Sequence, residues 1–255
     1  MFPVLFNSKL FTLYSYPFFM GLGWGVALLF TSFLLSKNNY PEKEIKKLFC
    51  FEFIIAWIGA KLFFLNFSSD FNQVSRPQFW LGGGFVFYGG LVFGTIFFIF
   101  YSLIFKKFKF ELTYNLLPGI ALGHAVGRVG CFLAGCCYGN ETSLPWSVQI
   151  DGVHRHPSQI YEIILLLLIF FFIQYEIKKN IKNEYIILSY FFIYSLGRFL
   201  LEFFRGDVIR GFIFNQFSTS QIIALIIIGI SLFLAFLIIF HQCKVLKKGF
   251  HLTKQ

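Results

Sequence analysis

Seven long apolar segments constrain this chain more than any other feature of its sequence. They run over residues 17–35, 48–67, 84–105, 114–138, 159–173, 185–204 and 221–240. Most approach the ~20 residues that a helix needs to cross ~30 Å of hydrocarbon. A segment in lipid must satisfy its own backbone hydrogen bonds, so each is predicted to be helical. We therefore predict an all-α integral membrane protein, a bundle of about seven transmembrane helices that forms a single domain over residues 1–255.

The composition excludes an ordinary soluble protein. Of the 255 residues, 57% are hydrophobic and only 13% are charged, whereas soluble domains are about a quarter charged. The net charge of +10 would suggest nucleic acid as the partner of a soluble domain. Here the lysines lie in short loops between apolar segments, where they set topology and contact anionic lipid. Membrane lipids are therefore expected partners, and nucleic acid is not.

The basic residues between the segments predict how the helices cross the membrane. Alternate connections carry fourteen of them, and the other connections carry five. Because cytoplasmic loops carry the excess of Lys and Arg, the N-terminus is predicted outside and the C-terminus in the cytoplasm. The longer polar pieces, 68–83, 139–158 and 205–220, then face outward, where function is predicted to open. The fourth and fifth segments are the weakest, and the alternatives for each are a tilted helix, a half-submerged helix or a helix flanked by re-entrant backbone.

The fourth segment places His124 and Arg128 where a transmembrane helix normally carries Leu or Ile. A charged side chain near mid-bilayer costs roughly 3 kcal/mol, so such residues usually serve a function and face the protein interior. Glycines recur at helical spacing on this segment and leave one face nearly bare: Gly119, Gly123, Gly127 and Gly130. We interpret the segment as the wall of a polar cavity. The alternative is a tightly packed helix whose Arg128 reaches the headgroups by snorkelling.

A second polar group stands at the outer end of the fifth segment. It includes His156, Gln159 and Glu162, and Pro157 fits the first turn of a helix. Free backbone N–H groups at a helix N-terminus favour anions. A solvated helix cap explains part of the group, but it explains less well why Gln159 and Glu162 share one helical face.

A third group ends the sixth segment. Arg198, Glu202 and Arg205 follow one another at helical spacing, so a positive, a negative and a positive charge lie on one stripe. The carboxylate is predicted to orient the two guanidinium groups, which then bind a phosphate in bidentate fashion. A structural salt bridge at a helix end is the alternative.

Tyr88 and three cysteines complete the candidates. Tyr88 precedes a Gly-Gly pair that opens space beside its phenol, although an interfacial Tyr on a Gly-packed helix is equally expected. Cys131, Cys136 and Cys137 do not have the spacing of a structural zinc site. No metal is expected there; a disulfide in an oxidising compartment or plain packing are the alternatives.

Taken together, these motifs resemble the prolipoprotein diacylglyceryl transferase family. The resemblance covers nearly the whole chain and consists of motifs in family order: Tyr14-Ser-Tyr16, Tyr88-Gly-Gly-Leu, Gly127-Arg-Val-Gly130 through Gly139, His156-Pro-Ser-Gln-Ile-Tyr-Glu162 and Arg198-Phe-Leu-Leu-Glu-Phe-Phe-Arg205. It implies an enzyme of the bacterial inner membrane with its active site toward the outer face. Such an enzyme moves the diacylglyceryl group of phosphatidylglycerol onto the cysteine thiol of prolipoproteins, whose signal peptides it recognises, and releases glycerol 1-phosphate. It requires no cofactor.

The resemblance also implies roles for individual residues. Arg128, Arg198, Glu202, Tyr88 and His156 are the predicted catalytic residues. The predicted substrate-binding residues are Tyr16, Arg128, Gly139, Gln159, Arg205 and His124.

The sequence departs from the family pattern at three positions. Tyr88 replaces the usual His, Cys131 the usual Asn and Cys136 the usual Glu. The missing His is the family's candidate base, so His156 or His124 is expected to replace it. These departures keep two alternatives open: a lipid-binding or transport protein without transferase turnover, and a thiol or redox membrane protein that uses the three cysteines.

Overall fold

The computed structural model describes residues 1–8, 12–65, 74–76, 79–80, 87–105, 110–206, 212–213 and 217–252. Within these ranges the α-helices are α1 (Ser15–Ser36), α2 (Glu42–Leu65), α3 (Phe87–Phe105), α4 (Leu117–Ala134), α5 (Ser158–Lys178), α6 (Asn183–Leu201) and α7 (Thr219–Leu252). Two 3₁₀ helices, Phe110–Leu116 and Glu202–Phe204, precede α4 and follow α6. Six spans in the described residues are long and apolar enough to cross a membrane, and a shorter apolar helix covers residues 89–104. The expected helical membrane protein is confirmed; seven crossings and the orientation of the termini stay predictions.

Three short antiparallel hairpins lie at one end of the helix bundle, and the sequence pattern did not predict them. They pair β1 (Val4–Asn7) with β2 (Thr12–Tyr14), β3 (Val148–Ile150) with β4 (Val153–Arg155), and β5 (Phe212–Ile213) with β6 (Phe217–Ser218). The first precedes α1 and contacts the end of α4, and the other two lie in the α4–α5 and α6–α7 connections. This end of the bundle is the one that the charge pattern assigns to the outer face.

The fifth segment is longer than the sequence suggested. Helix α5 has 21 residues and is by itself long enough to cross a membrane. Its polar final turn stays helical beside α6, where the hydroxyl of Ser189 donates a hydrogen bond to Glu176 at 2.6 Å. The predicted range 159–173 was therefore too short, because a partner on α6 supports a polar residue that the hydropathy pattern counted against the helix; how this helix sits in the membrane stays a prediction.

The glycines of α4 pack against α1 instead of lining an open cavity. A Cβ atom on Gly119 would lie 2.8 Å from the carbonyl oxygen of Ala27, and one on Gly130 would lie 2.7 Å from Cβ of Phe19. Gly123 and Gly23 contact each other so closely that neither has room for a side chain. Only the last glycine of the set, Gly127, has open space beside it. The glycine face of α4 thus lets its backbone approach the backbone of α1, as small residues do between membrane helices.

Apolar packing fills the half of the bundle near the α1–α2 and α5–α6 connections. Two clusters of buried side chains occupy it, one made of Ala27, Leu35, Ile45, Leu48, Phe49, Tyr101 and Leu116, the other of Leu117, Ala121, Ile169, Ile173, Ile186 and Tyr190. Large apolar side chains such as Leu29, Leu103 and Leu168 remain exposed on the outside, as expected of lipid-facing positions. Arg128, Glu162 and Arg198 lie in the other half.

The contact between α1 and α4 predicts that replacing a glycine of α1 by alanine lowers the stability only where that glycine faces α4. Gly23→Ala adds a methyl group against the Gly123 backbone and should lower the stability by about 1–3 kcal/mol through overpacking. Gly25→Ala, which has nothing within 4 Å, is the matched control and should be neutral or slightly stabilising. Reversible unfolding by SDS titration in mixed micelles measures both. Equal stability of the two variants would contradict the packing described.

Candidate functional site

An ion pair between α4 and α5 forms the centre of the polar half. Nη2 of Arg128 lies 2.8 Å from Oε1 of Glu162. The carboxylate is only 6% exposed and the guanidinium 16%. A buried charge without a partner is costly, so each side chain requires the other. Arg128 therefore turns toward the protein interior, and the alternative in which it snorkels toward the headgroups is wrong.

The carboxylate of Glu162 also contacts polar side chains on α4 and α6. Nε2 of His124 lies 3.6 Å from the same carboxylate oxygen, and the hydroxyl of Tyr194 donates a hydrogen bond to it at 3.3 Å. The rings of His124 and Tyr194 stand 5.7 Å apart. A single carboxylate thus joins three helices.

The predicted charge stripe of the sixth segment is present. Nη2 of Arg198 lies 2.8 Å from Oε2 of Glu202, and Nη1 of Arg205 lies 3.8 Å from the same oxygen. Arg198 also donates a hydrogen bond to the hydroxyl of Ser220 at the start of α7, at 3.4 Å. The carboxylate holds two guanidinium groups, as the sequence predicted.

The carboxylate of this group is more deeply buried than the two arginine side chains. The side chain of Glu202 is 1% exposed, whereas Arg198 and Arg205 keep 12% and 15%. The carboxylates are therefore enclosed behind guanidinium groups that remain accessible. Three arginines against two carboxylates leave positive charge in excess, which is the electrostatics of an anion site.

Arg128 and Gln159 each have a buried polar atom that a ligand would satisfy. In the described part of the chain, Nε of Arg128 and Oε1 of Gln159 are buried without a hydrogen-bond partner. Leaving such an atom unpaired costs about 1–3 kcal/mol, more beside a charge. A bound molecule with oxygen and hydroxyl groups would satisfy both atoms.

Gly139 brings the loop after α4 against the end of α6. It forms an antiparallel bridge with Arg205, and its N–H donates to the carbonyl of His156 at 2.9 Å. A Cβ atom there would lie 2.7 Å from the carbonyl oxygen of Phe204. Close backbone packing thus accounts for a glycine at this position, and its contact with substrate stays a prediction.

His156 stands at the rim of the site, just before α5. Its Nδ1 lies 3.1 Å from the hydroxyl of Tyr161, and its ring packs edge-on against Phe204, with ring centres 5.4 Å apart. Trp146 donates a hydrogen bond to the same Tyr161 hydroxyl at 2.8 Å. These contacts hold the imidazole in one orientation.

The three cysteines border the arginines. Nη1 of Arg128 lies 3.9 Å from Sγ of Cys131. Tyr16 of α1 interacts electrostatically with all three thiols and with Arg128. The thiols of Cys131 and Cys136 hydrogen-bond to the thiol of Cys137.

The start of α5 anchors the loop that carries two of these cysteines. The amide of Gln159 donates to the carbonyl of Cys136 at 2.7 Å, and the hydroxyl of Ser158 donates to the carbonyl of Cys137 at 2.7 Å. Gln159 therefore faces α4 together with Glu162, as their spacing predicted.

Tyr88 lies in the first turn of α3, and its side chain falls outside the described part of the structure. The Gly-Gly pair that follows it packs on α2. A Cβ atom on Gly90 would lie 3.1 Å from the carbonyl oxygen of Ala56, and Gly89 is closed in by Gly59. The glycines thus pack against α2, as the alternative of a Gly-packed helix predicted, and the role of Tyr88 stays a prediction.

Two side chains at the centre were missing from the predicted set of site residues. Glu162 was noted as sharing a helical face with Gln159 and as the end of one family motif, but it was given no role, although a buried Arg128 demands a carboxylate on another helix. Tyr194 precedes Arg198 by four residues, so helical spacing alone places both on one face. Both signals were available in the sequence.

Comparison with known proteins agrees with the motif order. The family profile described as "Prolipoprotein diacylglyceryl transferase" matches residues 3–237. A "Phosphatidylglycerol--prolipoprotein diacylglyceryl transferase" of Clostridium tetani is 36% identical over 245 residues, 91% of this chain and 96% of that protein. A protein of the same name from Finegoldia magna is 33% identical over 83% of this chain and 84% of that protein. A protein named "Phosphatidylglycerol--prolipoprotein diacylglyceryl transferase 2" from Clostridium perfringens is 32% identical over 85% of this chain and 87% of that protein.

Removing the central carboxylate charge should destabilise the protein. Glu162→Gln leaves the guanidinium of Arg128 buried without its counter-charge, and we expect a loss of about 3 kcal/mol in the free energy of unfolding. Glu141→Gln is the matched control, because Glu141 is 71% exposed and lies 3.7 Å from Arg155; an exposed pair contributes less than about 1 kcal/mol. SDS titration compares the two. A Glu162→Gln protein as stable as the control would contradict the central role of this ion pair.

Proposed function

The chain belongs to the prolipoprotein diacylglyceryl transferase family, and we propose from this that it transfers the diacylglyceryl group of phosphatidylglycerol to the cysteine thiol of prolipoproteins. The reaction forms a carbon–sulfur bond and breaks the carbon–oxygen bond to the phosphate, releasing glycerol 1-phosphate. It is the first step of bacterial lipoprotein maturation. The partners are then phosphatidylglycerol, the signal peptides of prolipoproteins and the surrounding membrane lipids.

The observation that carries the proposal is the set of accessible guanidinium groups around enclosed carboxylates. The phosphate of phosphatidylglycerol becomes a leaving group, and its growing negative charge needs stabilisation. Arg128, Arg198 and Arg205 are held by carboxylates, and their side chains are more exposed than those of their partners. We assign these three arginines to the phosphate, and Glu162 and Glu202 to holding them.

The remaining site residues surround the other parts of the lipid. Gln159 has an unpaired buried oxygen, which suits a glycerol hydroxyl. Tyr16 lies near Arg128 and is assigned to the same headgroup. Tyr88 and Gly139 stay predicted site residues, as the family resemblance implies.

The substrate thiol must lose its proton before it attacks, since the thiolate is the nucleophile. His156 and His124 are the candidate bases. His124 is already engaged with Glu162 and Tyr194. His156 stands at the rim of the site with one nitrogen held by Tyr161, so we assign the proton transfer to His156.

The location follows from the same proposal. The chain is a multi-pass protein of the bacterial inner membrane. We place the site on the outer face, because the longer polar connections lie there and the lysine-rich connections lie on the other side. Outward-facing lysine and arginine are scarce, which is the pattern of translocated loops.

Transfer activity is tested with purified protein, phosphatidylglycerol and a signal-type peptide with its acceptor cysteine. Mass spectrometry should show a diacylglyceryl mass on the cysteine, and glycerol phosphate should be released. Arg128→Lys keeps the charge but loses the planar fork, and should slow transfer by about 100-fold. Arg155→Lys, at a hairpin position paired with an exposed glutamate, is the control and should stay within about two-fold.

The outcomes separate the alternatives. A full transfer rate in the Arg128→Lys protein would contradict the phosphate assignment. Tight binding of phosphatidylglycerol with no transfer by the wild-type protein would instead identify a lipid-binding protein of the same fold. Thiol–disulfide chemistry without any lipid product would favour the redox alternative.

A further inference from the structure

Three thiols converge at the outer end of α4. The Sγ atoms of Cys131, Cys136 and Cys137 all lie within 4.8 Å of one another. Cys131 is buried in the last turn of the helix, and the other two are partly buried in the turn that follows. A zinc–sulfur bond of about 2.3 Å places sulfur ligands about 3.8 Å apart in tetrahedral geometry. A movement of less than about 1 Å would therefore bring all three sulfurs to one metal ion.

The backbone conformation explains why the spacing of the three cysteines along the chain did not predict a metal site. Two left-handed residues reverse the chain after α4, Gly135 at φ 71° and Cys137 at φ 59°. A non-glycine residue in this conformation costs about 1–3 kcal/mol, so the surroundings must hold it. Ser158 and Gln159 do so through their hydrogen bonds to the two loop carbonyls. The sequence expectation of no metal rested on the usual paired spacing, which such a reversal does not need.

Three thiolate ligands leave one coordination position open. Structural zinc sites are closed by four protein ligands, whereas sites with three protein ligands bind water or substrate in the fourth position. Soft thiolate ligands select thiophilic ions such as Zn²⁺. We propose that Cys131, Cys136 and Cys137 bind one Zn²⁺ ion, whose fourth position takes the cysteine thiol of the protein substrate. This inference rests on the transferase function proposed above.

Coordination supplies the thiolate that the reaction needs. A thiol bound to zinc is deprotonated outright. Its proton passes to His156, the base proposed above, and from there to water. The metal-bound sulfur then donates its electron pair to the glyceryl carbon of phosphatidylglycerol. As the carbon–sulfur bond forms, the carbon–oxygen bond breaks and its electron pair leaves on the phosphate of glycerol phosphate, so no oxidant or reductant is required.

The charges around the thiols suit this arrangement. One Zn²⁺ with three protein thiolates and the substrate thiolate carries two negative charges, which need positive neighbours. Arg128 lies 3.9 Å from Cys131, and Arg205 is within electrostatic range of Cys137. The guanidinium groups assigned to the phosphate therefore also border the thiols. This places the two reacting groups next to each other.

Metal binding is tested first, with reduced protein stripped by a chelator and then titrated with Co²⁺ as a spectroscopic substitute for Zn²⁺. We expect one Co²⁺ per chain with intense sulfur-to-metal charge-transfer absorption. Cys131→Ser, Cys136→Ser and Cys137→Ser should each weaken binding by about 10- to 100-fold. The control variants Cys50→Ser and Cys243→Ser remove exposed thiols and should bind like the wild type. Equal binding by all five variants, or a disulfide among the three cysteines in place of metal, would overturn the proposal.

The open position is tested without any lipid. Adding the peptide with its acceptor cysteine to the Co²⁺ protein should change the ligand-field spectrum, because a fourth sulfur joins the metal. The same peptide with serine in place of that cysteine should leave the spectrum unchanged. Identical spectra with both peptides would overturn the proposal, even if the metal itself binds tightly.

The link to catalysis is tested on wild-type protein, where folding is not in question. At pH 7 a free thiol with a pKa of about 8.5 is only a few per cent thiolate, so removal of the metal should slow transfer by about 10- to 30-fold. Zn²⁺ should restore the rate. Unchanged transfer after complete metal removal would overturn the proposal and leave the transferase function intact. A cysteine-dependent Co²⁺ spectrum without transfer under any condition would support the thiol site and instead contradict the transferase function.

Discussion

The ion pair between Arg128 and Glu162 is the interaction on which the rest of the structure depends. A charge inside a membrane helix is acceptable only when a partner on another helix neutralises it, so this pair sets how α4 faces α5. His124 on α4 and Tyr194 on α6 contact the same carboxylate. The opposite face of α4 is made of glycine and packs on α1. One helix therefore separates close backbone packing from the polar site, and its rotation is determined by both.

The two halves of the bundle have different physical tasks. The half near the α1–α2 and α5–α6 connections is filled mainly by apolar clusters, which stabilise the helices against one another. The other half holds the ion pairs of Arg128, Arg198 and Arg205, and short hairpins and backbone bridges connect the ends of the helices there. Gly139 is central to this, because its contacts with His156 and Arg205 join the connections after α4 and α6. Charged groups are thereby positioned by rigid elements on several sides, as a site for a phosphate requires.

Transfer of a lipid group to sulfur has two electrostatic demands, a stabilised leaving phosphate and a deprotonated thiol. The guanidinium groups of Arg128, Arg198 and Arg205 are suited to the first demand, since their carboxylate partners are enclosed and their own edges remain accessible. The converging thiols of Cys131, Cys136 and Cys137 are suited to the second. Both groups of side chains share Arg128 as a neighbour, so the two steps of the proposed chemistry take place in one location.

Local pattern alone determined the helical segments, the membrane class and the stripe of Arg198, Glu202 and Arg205, because these depend on runs of apolar residues and on a period of 3.6 residues. Only the tertiary structure decided which partner Arg128 has, that the glycines of α4 face α1, and that the three thiols converge. Such contacts join residues on different helices or across a chain reversal. They depend on the rotation and depth of each helix, which result from packing all helices together and are not encoded in any single segment.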